Sequence, residues 1–216
     1  MEEDILKYIN KITKKATMPK RILEHFILMG TSTVSDIAKN IDVSLPTAAA
    51  ALNDLMVHGL VKEVGKKETT TGRIPMLYDL NPKAGYFVGA NPEMSHLALT
   101  ATDFCGNPIV EKTNVPYLYE NTVENLEQMG QILNQFIDSL PVKREDILNV
   151  CVNIAERVNA HEGKTYTIFS FNEEPLTKRI SEMIDLPVCI ENDTRSMTYA
   201  EFIKGSCRGL KDVIFL

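Results

Sequence analysis

At 216 residues, 44% hydrophobic and 24% charged, the chain is long for one domain and suits two modest globular ones. No run approaches the roughly 18 apolar residues of a membrane span, which excludes a membrane partner through a spanning helix. The acidic start Met1-Glu2-Glu3-Asp4 lacks the basic-then-apolar layout of a signal peptide and predicts a cytoplasmic protein.

The net charge of −6 divides unevenly. Residues 1–75 carry eleven Lys/Arg against nine Asp/Glu, and residues 76–216 carry twelve against twenty. A mildly basic head on an acidic body suits a nucleic-acid-binding module joined to a domain with another task. Cys105, Cys151, Cys189 and Cys207 are scattered, with no CxxC and no nearby His. They read as buried small hydrophobes rather than a zinc site or a disulfide frame.

Residues 4–15 place Ile5, Leu6, Ile9 and Ile12 at helical spacing, with Lys7, Lys11, Lys14 and Lys15 mostly on the other face. This predicts a leading helix that either packs on the head or a partner copy, or serves as a basic arm near DNA. Pro19 opens the next helix, striped by Ile22, Leu23, Phe26 and Ile27 and ended by Gly30. Thr31-Ser32-Thr33 supplies N-cap chemistry for a short second helix through Val34, Ile37 and Ala38, with Asp36 in its first turn. After the tight connection Asn40–Val43, Ser44 caps a third helix with Pro46 in its first turn, where a missing N–H costs nothing. Ala48, Ala51, Leu52 and Leu55 face its core, and Gly59 ends it.

Two short helices joined by about four residues is the arrangement that lays a helix N-terminus in the major groove of double-stranded DNA. Leu60–Val64 and Ile74–Leu80 then read as the strands of a wing with a polar tip at 65–72, completing a winged helix-turn-helix. Lys66, Lys67 and Arg73 are placed for phosphate or minor-groove contact. The alternative is a winged helix used for protein contacts, which leaves the basic wing without a task. The exposed face of the third helix offers Ser44, Thr47, Ala49, Ala50 and Asn53. Alanines touch thymine methyls and hydroxyls hold phosphates, but nothing here grips guanine with two bonds. The wing is therefore expected to carry much of the affinity. His58, at the helix end, reads as a structural residue.

Asn81–Gly85 is the expected linker between a head over 1–80 and a body over 86–216. In the body, three strands in meander (86–90, 97–103, 109–115), a helix (122–140) and a strand (147–154) form an α/β pattern. A hairpin around His161-Glu162-Gly163 follows, then a helix (175–184), a strand from Leu186 into Glu191-Asn192-Asp193, and a helix over 194–204. Asn192 and Asp193 lie just past a strand's C-terminal end, where open α/β sheets bind ligands. The same pair also suits a helix N-cap.

Gly72-Arg73-Ile74-Pro75, Leu80-Asn81-Pro82-Lys83-Ala84-Gly85-Tyr86, Leu186-Pro187-Val188 leading to Glu191-Asn192-Asp193, and Ala200-Glu201 before Gly205 occur in an order and spacing that resembles the ROK family (repressors, uncharacterised reading frames and sugar kinases) over roughly residues 20–216. The resemblance implies an actin-like, hexokinase-like (ribonuclease H-like) α/β lobe behind the head. It further implies a sugar-responsive repressor of carbohydrate metabolism that binds operator DNA as a homodimer or higher homo-oligomer. By the same resemblance Asn192 and Asp193 bind sugar hydroxyls, and in kinases the Asp is the general base. Kinase members open their first hairpin with an Asp-x-Gly-x-Thr phosphate loop. Here Asn91-Pro92-Glu93-Met94-Ser95 stands in its place: the glycines are gone, Pro92 removes a donor, and Glu93 adds charge where phosphates would sit. The expectation is a protein without catalytic residues or cofactor, the alternative being a sugar kinase with an appended head. Family members run on into a second lobe with a cysteine-rich zinc motif. The end Asp212–Leu216 reads as the start of a buried strand, so the resemblance implies a truncated chain whose open core edge favours self-association.

Overall fold

A computed structural model describes residues 5–13, 17–67, 74–171, 174–207, 209–210 and 212–214. They form two compact units, Met1–Ala84 and Gly85–Leu216.

The first unit opens with α1 (Ile5–Thr13) and α2 (Met18–Met29). α1 packs on its own unit: Tyr8 and Ile12 are buried, the Tyr8 ring stacks on His58 at 3.6 Å between centroids, and its hydroxyl donates to the Asp54 carboxylate. This favours the packed over the arm reading of the leading helix, although Lys14 and Lys15 lie outside the described residues. α3 (Val34–Asn40) starts in a capping box, Thr33 Oγ1 accepting from the Asp36 N–H (3.2 Å) while the Asp36 carboxylate accepts from the Thr33 N–H (3.2 Å). At its far end the Arg21 guanidinium of α2 donates to the Ile41 carbonyl. α4 (Leu45–Val57) is capped by Ser44 and buries Ala48, Leu52 and Leu55.

β1 (Val61–Lys66) and β2 (Met76–Leu80) form the antiparallel wing, with a register shift between Glu63 and Gly65. Ser32 extends this hairpin by one bridge, exchanging both backbone bonds with Tyr78 at 3.0 and 2.9 Å. Beneath the bridge, buried His25 lies 2.9 Å from Ser32 Oγ. Because that hydroxyl donates to the Gly30 carbonyl (2.9 Å), it accepts from the imidazole, which fixes the proton on His25 Nε2. The expected linker is largely built into this unit. Asn81 bonds back to the Leu60 and Gly59 carbonyls at 2.9 and 2.8 Å, and Pro82–Ala84 is a 3-10 turn.

The second unit is a five-stranded mixed sheet. β3 (Tyr86–Pro92), β4 (His96–Asp103) and β5 (Pro108–Pro116) form the meander, and β6 (Ile147–Ile154) and β9 (Val188–Asn192) add in parallel, giving the order β5-β4-β3-β6-β9. The alternation of buried and half-buried residues along β3, β4 and β6 supplies one core face from Val88, Leu97, Leu99, Val150 and Val152. α5 (Val123–Asp138) and α6 (Leu176–Ile184) close that core with Leu126, Met129, Leu133, Ile180 and Ile184. A two-stranded hairpin, β7 (Val158–Asn159) with β8 (Lys164–Thr165), precedes α6, and α7 (Asp193–Ile203) follows β9 directly.

Two sequence expectations fail. None of the four cysteines is buried: Cys189 is exposed and Cys105, Cys151 and Cys207 are half-buried, because Cys151 and Cys189 fall on the strand face opposite the core and Cys105 and Cys207 lie in turns. Asp212–Ile214 forms no strand, and Ile214 is 86% exposed. A short apolar run becomes a strand only where a neighbour supplies a ladder, and none does among the described residues; Phe215 and Leu216 lie outside them.

Two outcomes follow for stability. A Cβ added at Gly85 would sit 2.4 Å from Leu148 Cδ1, so Gly85→Ala is expected to cost about 1–3 kcal/mol in denaturant unfolding of the second unit. Burial lowers the His25 pKa from its ordinary 6.5, so the unfolded chain takes up a proton the native one refuses. That stability is full above the ordinary value and is lost as pH falls from it toward the depressed one. Melting temperatures between pH 7.5 and 5 should therefore drop more for the unsubstituted chain than for His25→Gln.

Candidate functional site

The DNA-facing candidates sit on α4 and the wing. Ser44, Thr47, Ala49, Ala50 and Asn53 are all exposed, on the side of α4 away from Ala48, Leu52 and Leu55. Helical spacing places Pro46, Ala50, Asn53 and Val57 along the middle of that side, with Ala49 and Thr47 at its flanks. Ser44 and Thr47 are brought together, their hydroxyls 2.7 Å apart, and Ser44 Oγ also accepts the Thr47 N–H at 3.3 Å. The Ser44 oxygen is therefore already engaged in capping, and Asn53 is the amide side chain on this surface.

On the wing, Lys66 and Lys67 are exposed; Arg73 lies outside the described residues. Lys67 Nζ stands 3.5 Å from Asp36 Oδ2, beside the first turn of α3 rather than beside α4. Both partners are about half exposed (51% and 44%), so this pair is worth under about 1 kcal/mol and yields readily to a phosphate. Asp36 itself titrates below the usual carboxylate range, held there first by the Thr33 hydroxyl and secondarily by Lys67. The sequence carried no signal for the Asp36–Lys67 contact, which depends on how the hairpin folds back. His58 is structural in the sense expected: Nδ1 lies 2.8 Å from the Asp54 carbonyl, and the ring supports Tyr8.

In the second unit the β3–β4 turn is closed and acidic. The Glu93 N–H donates to the His96 carbonyl (2.8 Å), and the Glu93 carboxylate lies 3.2 Å from His96 Nε2. Pro92 is buried, and the Met94 and Ser95 carbonyls accept from Tyr119 and Tyr117 N–H. Asn91, at the position of the kinase carboxylate, accepts from Asn153 Nδ2 (3.3 Å), whose own oxygen accepts from Ser196 Oγ (2.8 Å). A phosphate cradle uses a run of free N–H groups, and here Pro92 contributes none and the Glu93 N–H is spent on the His96 carbonyl.

Asn192 and Asp193 lie where β9 passes into α7. Asn192 is the N-cap: its oxygen accepts the Arg195 N–H (2.9 Å), while Nδ2 donates to the Glu156 carbonyl and to Asp193 Oδ1, both at 3.1 Å. That spends the whole side chain on structure. Asp193 Oδ1 additionally accepts from the Thr194 N–H (2.6 Å). Its Oδ2 has no hydrogen bond among the described residues, so Asp193 is the open acceptor of the pair.

Glu156, absent from the sequence-based candidates, organises the loop opposite. Its carboxylate accepts from the N–H groups of Thr167 and Ile168 and from the Thr167 hydroxyl. Asn121 braces the same loop, accepting the Phe169 N–H (2.7 Å) and donating to the Thr167 carbonyl (3.1 Å). Phe169 is held there at φ 57°, which a non-glycine residue adopts only when its surroundings impose it. Burial raises the Tyr119 pKa, helped by the negative charges of Glu156 and Asp193. A shallow cavity of about 470 Å³ beside Asn192 runs along α7, lined by Thr194, Thr198, Tyr199 and Phe202. Among the described residues no group of three or more His, Cys, Asp or Glu is placed to hold a metal ion, and no helix is long and apolar enough to cross a membrane.

Comparison with known proteins agrees with this architecture. The chain is similar to the xylose repressor of Bacillus spizizenii, with 22% identity over 203 residues, covering 93% of this chain and 52% of that protein. It is also similar to the xylose repressor of Staphylococcus xylosus, with 26% identity over 180 residues, covering 81% and 45%. The chain thus spans about half the length of the curated relatives it matches. In three dimensions it superposes on the crystal structure of a ROK family transcriptional regulator, a homolog of E. coli MLC protein, with TM-score 0.66 and 17% identity, over 86% of this chain and 48% of that one. This shows the fold to be a winged helix followed by an actin-like α/β lobe. The ROK family model matches residues 95–216, more than half of the sequence, and the chain therefore belongs to the ROK family.

Proposed function

We propose that this chain is the DNA-binding and effector-sensing part of a cytoplasmic, sugar-responsive transcriptional repressor that binds operator DNA as a homodimer. The observation that carries this reading is the pairing within one chain of an exposed, capped α4 and lysine-bearing wing with an α/β lobe whose phosphate turn is filled. Ala49 and Ala50 suit thymine methyls, Asn53 suits adenine, and Lys66, Lys67 and Arg73 suit phosphates. Asp193 Oδ2 supplies an acceptor for a sugar hydroxyl, with Asn192 holding the carboxylate in place. The names of the relatives make a pentose such as D-xylose the first effector class to test.

The competing reading, a sugar kinase with an appended head, requires backbone donors at 91–95 to hold nucleotide phosphates. Pro92 has no N–H, the Glu93 N–H is spent on His96, and the Glu93 carboxylate repels phosphate. The repressor reading needs none of these groups.

Duplex DNA from upstream of the encoding gene should shift in a gel with the chain, and log K should fall linearly with log salt. Replacing Lys66 and Lys67 with alanine should weaken binding about tenfold and reduce the salt slope by roughly 1–2, in proportion to phosphates released. Binding that is absent or indifferent to salt contradicts the proposal. For the effector, D-xylose at high concentration should raise the melting temperature of the chain. Asp193→Asn should lose most of that rise while keeping DNA affinity in the absence of sugar; an equal rise in both proteins contradicts the role of Asp193.

A further inference from the structure

Two of the four cysteines are brought face to face by strand pairing. Cys151 on β6 and Cys189 on β9 are register partners in the parallel ladder, in the series Val150–Val188, Cys151–Cys189, Val152–Ile190. Directly paired residues on neighbouring strands stand about 4.8 Å apart, inside the Cα separation a disulfide accepts. Side chains alternate across a strand, so both thiols lie on the face turned away from Val150, Val152 and Ile190, which are in the core. Cys189 is exposed and Cys151 half-buried. Cys105 and Cys207 lie in turns, outside the strands.

The geometry points to Cys151 and Cys189 as a peroxide-reactive dithiol that closes reversibly into a cross-strand disulfide joining β6 to β9. Cys189 is the attacking sulfur. The neighbouring Cys151 thiol lowers the Cys189 pKa below the usual thiol range, against the opposing effects of burial and Glu191, while proximity to Cys189 and burial push the Cys151 thiol up. Because Cys189 is exposed and Cys151 half-buried, Cys189 is the sulfur that meets peroxide and Cys151 stands by as the resolving group. The Cys189 thiolate attacks one oxygen of hydrogen peroxide, the O–O bond breaks, and hydroxide leaves, giving the sulfenic acid. The Cys151 sulfur then attacks the Cys189 sulfur. The S–S bond forms, the S–O bond breaks, and the departing oxygen leaves as water with the Cys151 proton. Two thiols and one peroxide become one disulfide and two waters; the cysteines are oxidised and the peroxide is reduced. The bond pins β9 three residues before Asn192, on the strand that delivers Asn192 and Asp193 to their places.

Peptide mapping of the reduced chain, exposed to hydrogen peroxide and quenched with N-ethylmaleimide, tests this independently of any DNA or sugar activity. The expected result is an intrachain linkage that joins the peptides of Cys151 and Cys189 and is released by dithiothreitol, with Cys105 and Cys207 alkylated. Before oxidation, Cys189 should alkylate about tenfold faster than Cys151. In Cys151→Ser, which has no resolving thiol, Cys189 should persist as a sulfenic acid that dimedone traps. The proposal is overturned if peroxide leaves both thiols alkylatable, if Cys189 advances to sulfinic acid while Cys151 stays alkylatable, or if the linkage runs to Cys105 or Cys207.

Discussion

The exchange of backbone hydrogen bonds between Ser32 and Tyr78 is the contact on which the head depends. It makes the segment between α2 and α3 a third, one-residue strand of the wing. A two-stranded hairpin alone is marginal in water, so the wing holds its direction because this bridge ties it to the helices. His25 completes the tie from below, its ring donating to the hydroxyl of the residue whose backbone carries the bridge. Lysines on the hairpin and hydroxyls on α4 therefore belong to one rigid body. A repressor needs that property if phosphate contacts are to set the register for base contacts.

In the second unit, two junctions at one end of the sheet differ in what they offer a ligand. The β3–β4 turn is closed by the Glu93 N–H bond to His96 and an internal Glu93–His96 pair, which sets a carboxylate where a phosphate would need donors. At the same end of the sheet, past the parallel strand β9, the β9–α7 junction carries a carboxylate oxygen on Asp193 with no hydrogen bond among the described residues, beside a fully engaged Asn192. An acceptor held in place beside a braced loop suits recognition of a hydroxyl-rich effector. Phosphoryl transfer would require the missing half of the constellation.

Much of this was legible in the sequence, for identifiable reasons. The meander strands and β6 were found to within two residues at each end, because apolar residues recur at alternate positions in β4 (Leu97, Leu99, Ala101) and β6 (Leu148, Val150, Val152, Ile154), and Gly106-Asn107-Pro108 marks the turn between β4 and β5. Thr33-x-x-Asp36 and Ser44-x-Pro46 announced the starts of α3 and α4. The features that escaped are those created by folding across long separations. Tyr8 is hidden within an isoleucine stripe, and its stacking on His58 spans fifty residues of chain. The Asp36–Lys67 pair and the Cys151–Cys189 register exist only once strands are paired. Glu156 carried no signal in the sequence, since the Thr167 and Ile168 groups it holds meet it only once their loop folds back. Asp212–Ile214 was misread because an apolar run carries no information about whether a neighbour will pair with it.

The account stands on α4 and the wing forming the surface that meets the duplex. Backbone amide NMR of the chain during titration with duplex DNA tests that surface most directly. Shifts concentrated at Ser44, Thr47, Ala49, Ala50, Asn53, Lys66 and Lys67, with the amides around Asn192 and Asp193 unmoved, are the predicted result. Shifts that bypass residues 44–53, or that gather in the α/β lobe, would contradict it.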